Sequence, residues 1–353
     1  MEARLKTMPE YILAFAISTG MALIITPLVI KLAFKTNAVD IPDARKVHKV
    51  PIPRIGGFGI YTAFLISVIF SVMMMHIGGE TLREIIGLIL SGSIIMAVGL
   101  IDDYKNLPAK VKLLGQIFAA TILVLGFEVR IDFITDPFGD FIYLEWLAIP
   151  ATIFWLVGLT NTINLIDGLD GLAAGVAAIA SITILLVALK QNFFLVTILT
   201  AALAGAAFGF LFYNSHPAKI FMGDSGSMFL GFMLAGISVV GEVKSTATIT
   251  LIVPILALGL PILDTTFAIV RRYLGGKPIF QPDKGHLHHR LLRLGFTHRQ
   301  AVFLMYVMSA MLGLSAVAMT EVNKQIAIMI LIIVFIAILY GAKKLGVLRL
   351  TSE

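Results

Sequence analysis

The stretch YILAFAISTGMALIITPLVIKLA, Tyr11 to Ala33, decides the fold. It carries no charged side chain until Lys31, and about 20 such residues suffice for an α-helix to cross about 30 Å of hydrocarbon. In lipid only helices and closed barrels satisfy every backbone N–H and C=O, and barrel strands would be about half as long. A cleaved signal peptide is the competing reading. The run is long enough to span and more membrane follows at once, so it is read as a retained first span.

Working outward, apolar runs recur at Gly56 to Met75, Ile85 to Ile101, Leu113 to Phe127, Trp146 to Thr160, Leu172 to Leu189 and Phe193 to Tyr213, and then at Met228 to Val240, Ile249 to Ile269, Ala301 to Thr320 and Ile326 to Tyr340. This pattern predicts one all-α polytopic integral membrane domain over residues 1–353, with about ten to eleven transmembrane helices. The runs at Leu113, Trp146 and Met228 are short, which leaves ten spans or a re-entrant segment open. A chain that is 58% hydrophobic and 14% charged falls outside the composition of soluble domains. It has no cysteine, which removes disulfides, thiolate metal sites and a cysteine nucleophile.

The net charge of +6 does not mark a nucleic-acid binder, because the cations are spread over several inter-span loops. Counted on an eleven-span topology, about 20 of the 27 Lys and Arg residues fall on one side, among them Lys35, Arg54, Lys105, Lys112, Lys219, Arg271, Arg272, Lys284 and Arg299. The positive-inside rule makes that side cytoplasmic and the N-terminus external. On the other side Glu128 to Glu145 alternates Val129, Ile131 and Phe133 with polar residues before the turn-rich Asp136 to Asp140, which predicts a small external hairpin.

Carboxylates beside apolar spans are costly and normally have a task. Five groups fall on the cytoplasmic side: Asp40 with Asp43, Asp102 with Asp103, Asp167 with Asp170, Asp224, and Asp264. The adjacent pair Asp102 and Asp103 needs a cation to offset its repulsion and suits Mg2+ on a phosphorylated substrate; a solvated helix end is the plainer alternative. Asn161, Asn164, Asp167 and Asp170 follow i, i+3 spacing and would share one helical face, while Gly168 and Gly171 permit close backbone approach. Gly223-Asp224-Ser225-Gly226-Ser227 opens an apolar run, where free backbone N–H groups suit an anion and Asp224 suits a bridging metal. Of the seven histidines, His286, His288 and His289 lie together in a basic loop after Arg271 and Arg272. Zinc or a diphosphate could occupy such a loop, and the basic surroundings favour phosphate. Asp264 follows Pro261 in a run that should kink, and its role is open between packing and polar support. Thr297 with Gln300 forms a capping box.

In this order the motifs resemble the polyprenyl-phosphate N-acetylhexosamine-1-phosphate transferases. The resemblance runs from about Ala38 to Phe296 and rests on Val39-Asp40 with Pro53 to Gly57, Asp102-Asp103, Asn164 to Gly171, Gly223 to Ser227, and His286 to His289. The Gly-His-Leu-His-His form is similar to the WecA/TagO branch, which uses UDP-N-acetylglucosamine. Where the family has Asp-Asp-x-x-Asp, the last position here is Asn106. The resemblance implies a Mg2+-dependent enzyme, with Mn2+ able to stand in, that loads a sugar phosphate onto undecaprenyl phosphate and opens a cell-envelope glycan pathway. It makes Asp224 and Asp167 metal ligands and Asp102, Asp103 and Asp40 catalytic. It also implies that Asn164, Asp170, His286, His288, His289, Arg271 and Arg272 bind substrate. A related UDP-N-acetylhexosamine is the alternative donor, and a homodimer is compatible with the family. An ion-coupled transporter is the rival class, disfavoured because the acids cluster at one membrane face and no internal repeat is visible.

Overall fold

The computed structural model describes residues 9–42, 50–135, 141–243, 252–276 and 285–344. Asp43, Arg45, Lys46, Lys49, the Asp136 to Asp140 turn, Lys277 and Lys284 lie outside them. The chain begins with α1 (Glu10–Lys35), β1 (Val39–Asp40), β2 (Ile52–Pro53), α2 (Gly57–Met75), α3 (Gly79–Lys105) and α4 (Ala109–Thr121), the last continuing as a π turn over Ile122–Gly126. The hairpin strands β3 (Phe133–Thr135) and β4 (Phe141–Tyr143) lead into α5 (Ala148–Ile166), α6 (Leu172–Lys190), α7 (Phe194–Asn214) and α8 (Gly223–Val243). Then come α9 (Ile252–Ala257), α10 (Gly259–Leu274), α11 (Leu287–Arg293), α12 (His298–Met319) and α13 (Lys324–Lys344).

Among the described residues nine helices are long and apolar enough to cross a membrane. The three short runs belong to full-length helices of 18, 22 and 19 residues at Ala109–Gly126, Glu145–Ile166 and Gly223–Gly241. Hydropathy alone truncated them, because their ends carry the polar residues of the site. The ninth apolar run, read as one kinked helix, is instead broken into α9 and α10 at Leu258. Pro261 has no N–H to continue the ladder there, and Pro254 lies one turn before the break.

The bundle has an inner and an outer layer. The apolar windows of α6, α7 and α8 are 78%, 83% and 89% buried, against 28% for α1. Small residues permit this: Ala173, Ala174, Ala177, Ala201, Ala202 and Ala206 are fully enclosed, so backbones approach closely where the hydrophobic effect does not drive association. Helix α8 is the hub, packed by α2, α3, α5, α6 and α7. A Cβ at Gly57 of α2 would sit 2.1 Å from the Gly226 nitrogen, and one at Gly99 of α3 would sit 2.4 Å from the Ser225 Cα. Both crossings lie at the start of α8, so they set the position of Asp224. Outer helices show large apolar side chains where lipid would lie, among them Phe154, Phe303 and Met311.

The hairpin forms as expected, with Phe133 paired to Tyr143 and Thr135 to Phe141 in antiparallel register. Its strands begin later than the alternation suggested: Val129 and Ile131 are buried against the bundle, and the Ile131 N–H donates to Thr152 Oγ1 at 2.8 Å. It stands at the ends of α4 and α5 opposite those that carry Lys112 and Asn164.

Candidate active site

The carboxylates of α3 meet the N-terminus of α8. Asp103 accepts from the backbone N–H of Asp224 at 2.8 Å, from that of Ser225 at 3.2 Å, and from the Ser225 hydroxyl. One buried carboxylate thereby satisfies donors that the first turn of a helix leaves unpaired, and it complements the positive end of the helix dipole. Gly223 makes the approach possible. It has φ of +72°, and a Cβ there would meet the Arg54 carbonyl oxygen at 2.0 Å and the Asp103 carboxylate at 2.6 Å.

Asp102 faces the other way. Its Oδ1 accepts from the Leu107 N–H, and its Oδ2 lies 3.2 Å from Lys112 Nζ, which itself sits 2.6 Å from Asp224 Oδ2. Lys112 therefore bridges the acids of α3 and α8. In the sequence it counts only as an orientation charge; a cation in the first turn of α4 opposes the helix dipole, but Lys110 shares that turn, so the signal marks the turn and not this residue. Asn106 ends α3 in the left-handed region at φ 48°, which asparagine tolerates well. Its Oδ1 accepts from Arg54 Nη2 at 3.0 Å, and the same guanidinium donates to the Asp102 carbonyl at 3.2 Å. The residue at the third position of the acidic motif is thus a helix stop and an arginine anchor.

The polar stripe is corrected by the structure. Helix α5 ends at Ile166, so Asn161 and Asn164 are helical whereas Asp167 and Asp170 lie in the turn beyond it. Gly171, at φ +79°, starts the reversal into α6. Asn161 leaves the site, tying α5 to α4 through Gln116 Oε1 at 2.6 Å. Asn164 Nδ2 donates to Ser227 Oγ at 2.9 Å and its side chain also bonds Asp224. Withdrawal from water, compounded by the charges of Asp224, Asp103 and Asp170, pushes the Asp167 carboxyl up to about 8. Asp170 turns away to His216 Nδ1 at 2.7 Å and to the Ala218 N–H at 3.2 Å.

The histidine loop is organised by Asp264. Its Oδ2 lies 3.0 Å from His286 Nδ1 and its Oδ1 accepts the Leu287 N–H at 2.8 Å, so one buried carboxylate both orients His286 and caps α11. Gly168 lets His288 dock on the turn that carries Asp167: a Cβ there would be 2.5 Å from His288 Nε2. Burial and the neighbouring His289 push the His288 imidazole down to about 4, so it is neutral near pH 7. Arg271 lies against the loop, its guanidinium 2.2 Å from where a Gly285 Cβ would stand, with Arg272 on the same turn of α10. Asp40 sits half-buried in β1, paired with Ile52 of β2. That ribbon joins the site through its backbone: Phe221 N–H donates to the Pro53 carbonyl at 2.7 Å and Gly57 N–H to that of Met222 at 2.8 Å.

A profile described as glycosyl transferase family 4 matches residues 85–242. The chain is 41% identical to a probable undecaprenyl-phosphate N-acetylglucosaminyl 1-phosphate transferase of Bacillus subtilis, over 93% of its own length and 90% of the relative. The chain belongs to glycosyl transferase family 4. A decaprenyl-phosphate N-acetylglucosaminephosphotransferase of Mycobacterium leprae is 36% identical over 85% of this chain and 81% of its own. A phospho-N-acetylmuramoyl-pentapeptide-transferase of Halalkalibacterium halodurans is 30% identical over 79% and 87%. Within the family, this transferase is thus nearer in sequence to those two N-acetylglucosamine members than to that muramoyl-pentapeptide member, in line with its Gly-His-Leu-His-His segment.

Proposed function

We propose that the chain transfers GlcNAc-1-phosphate from UDP-N-acetylglucosamine to undecaprenyl phosphate, giving undecaprenyl-diphosphate-GlcNAc and UMP. The observation that carries this reading is the meeting of Asp102, Asp224 and Lys112 beside Asp167, in a chain so similar to transferases of that name. The lipid phosphate attacks the sugar-bearing phosphorus, the new phosphoanhydride forms as the old one breaks, and UMP leaves. A phosphate with a second pKa of about 6 is already largely dianionic near neutrality, so direct attack needs no strong base.

Crowded carboxylates sharing one lysine fit a hard divalent cation with oxygen ligands. Asp224 and Asp167 would hold Mg2+, which when bound supplies charge neutralisation to the diphosphate. Lys112 keeps Asp224 and Asp102 in place, and Asp103 fixes the helix start that presents Asp224. Arg271, Arg272, His286 and His289 supply donors to the diphosphate and sugar, and His288, being neutral, packs the loop onto Gly168. The reading puts the multi-pass bundle in the bacterial cytoplasmic membrane, and the Lys and Arg distribution supports having this face inside.

Purified protein with UDP-N-acetylglucosamine and undecaprenyl phosphate should release UMP only when Mg2+ is present. Asp224→Asn should leave the fold intact and lower turnover by about 10²-fold or more, since an amide cannot replace the charge. Near wild-type activity of that variant at low Mg2+ would sink the assignment.

A further inference from the structure

Beyond the carboxylate pocket, Asp170, His216 and His298 bring one ligand atom each to within 4.8 Å of one another. They come from three separate segments: the turn after α5, the loop after α7, and the first residue of α12. We propose that these three side chains form a second divalent-cation site, of N,N,O character, that takes a transition ion of the zinc class.

Three observations carry it. His298 Nε2 is buried and has no hydrogen-bond partner among the described residues. A buried ring nitrogen without a hydrogen bond calls for a partner that the protein itself does not supply. The three segments are also tied to one another. Gly171 N–H donates to Asn214 Oδ1 at 3.0 Å, the Tyr306 hydroxyl donates to the Gly171 carbonyl, and Arg299 Nη2 donates to the His216 carbonyl at 3.2 Å. Lastly, the donor types separate this cluster from the Mg2+ pocket, because imidazole nitrogens favour zinc-class ions and all-oxygen sets favour Mg2+.

The site needs adjustment to close. An ion between His216 Nδ1 and Asp170 Oδ2 must first open their 2.7 Å hydrogen bond, because ligands about 2.0–2.1 Å from a tetrahedral ion lie about 3.4 Å apart. The two rings also stack, with centroids 4.1 Å apart and planes at 18°. They must fan apart about their Cβ–Cγ bonds before both nitrogens face one ion. Filling the site would clamp the turn that carries Asp167 and Asp170 beside the carboxylate pocket. An inhibitory ion is therefore expected, a consequence that rests on the transferase reading, whereas the binding itself does not.

The test uses full-length protein without a histidine tag, stripped of metal and titrated with Co2+ and then Zn2+ in excess Mg2+. One Co2+ per chain should bind with the intense visible bands of four- or five-coordinate cobalt and be displaced by Zn2+. His216→Gln and His298→Gln, checked by thermal melts and backed by His298→Asn, should each weaken binding by at least about tenfold. In the UMP assay His298→Gln should retain Mg2+-dependent turnover and lose inhibition by zinc. Undiminished binding in both glutamine variants, loss of binding on replacing His289 instead, or only weak octahedral cobalt bands would overturn the proposal. A silent UMP assay with intact cobalt binding would count against the transferase reading alone.

Discussion

Asp167 shows how one residue's surroundings set its chemistry. Its pKa lies above the ordinary carboxylate value because water is withdrawn and Asp224, Asp103 and Asp170 are near. A raised carboxyl favours the protonated folded state, so its contribution to stability is present below about pH 4 and is lost as pH rises through about 8. Without Mg2+ the melting temperature should therefore fall between about pH 4 and 8 and level off above, and added Mg2+ should restore it most at the alkaline end. Because the ion must displace that proton, Mg2+ affinity should climb by up to about tenfold per pH unit below pH 8, and Asp167→Asn should flatten the slope. A pH-independent Mg2+ affinity in the wild type would show that Asp167 is not a ligand.

Among the elements, the start of α8 is where fold and chemistry coincide. Asp103 holds its first N–H groups, while Gly57 and Gly99 let α2 and α3 press against the same turn. Asp103→Ala should strand buried donors at a cost of about 1–3 kcal/mol each, lowering the melting temperature in detergent as well as turnover. Asp102→Ala, whose carboxylate holds a loop N–H and Lys112, should reduce turnover with a smaller loss of stability. If Asp103→Ala melts like the wild type, the capping role is wrong. The resemblance gives both acids one catalytic role; adjacency in sequence does not reveal that their side chains point in different directions.

At the scale of the molecule, every part of the site lies at one end of the bundle and the hairpin lies at the other. A cysteine placed at Lys105 or Lys219 in this cysteine-free chain should react with a membrane-impermeant maleimide only in inside-out vesicles, whereas one at Tyr143 should react only from outside. Labelling of Lys219 and Tyr143 from the same side would remove the orientation.

Local sequence determined the membrane class, most helix positions and the motif residues, because the demand for about 20 apolar residues per span is written in the chain itself. The acidic groups were legible for a related reason: carboxylates beside apolar spans stand out against their surroundings. The Leu258 break could be foreseen only as a kink, since prolines announce a lost hydrogen bond but not how far the helix separates. Which partner each polar group takes was decided by tertiary structure alone. Lys112 and Asp224 are far apart in sequence, as are Asp264 and His286, Asp103 and Ser225, and His298 and His216. No periodicity relates residues so distant, because each pairing exists only after glycine-lined helices bring their ends together at one face.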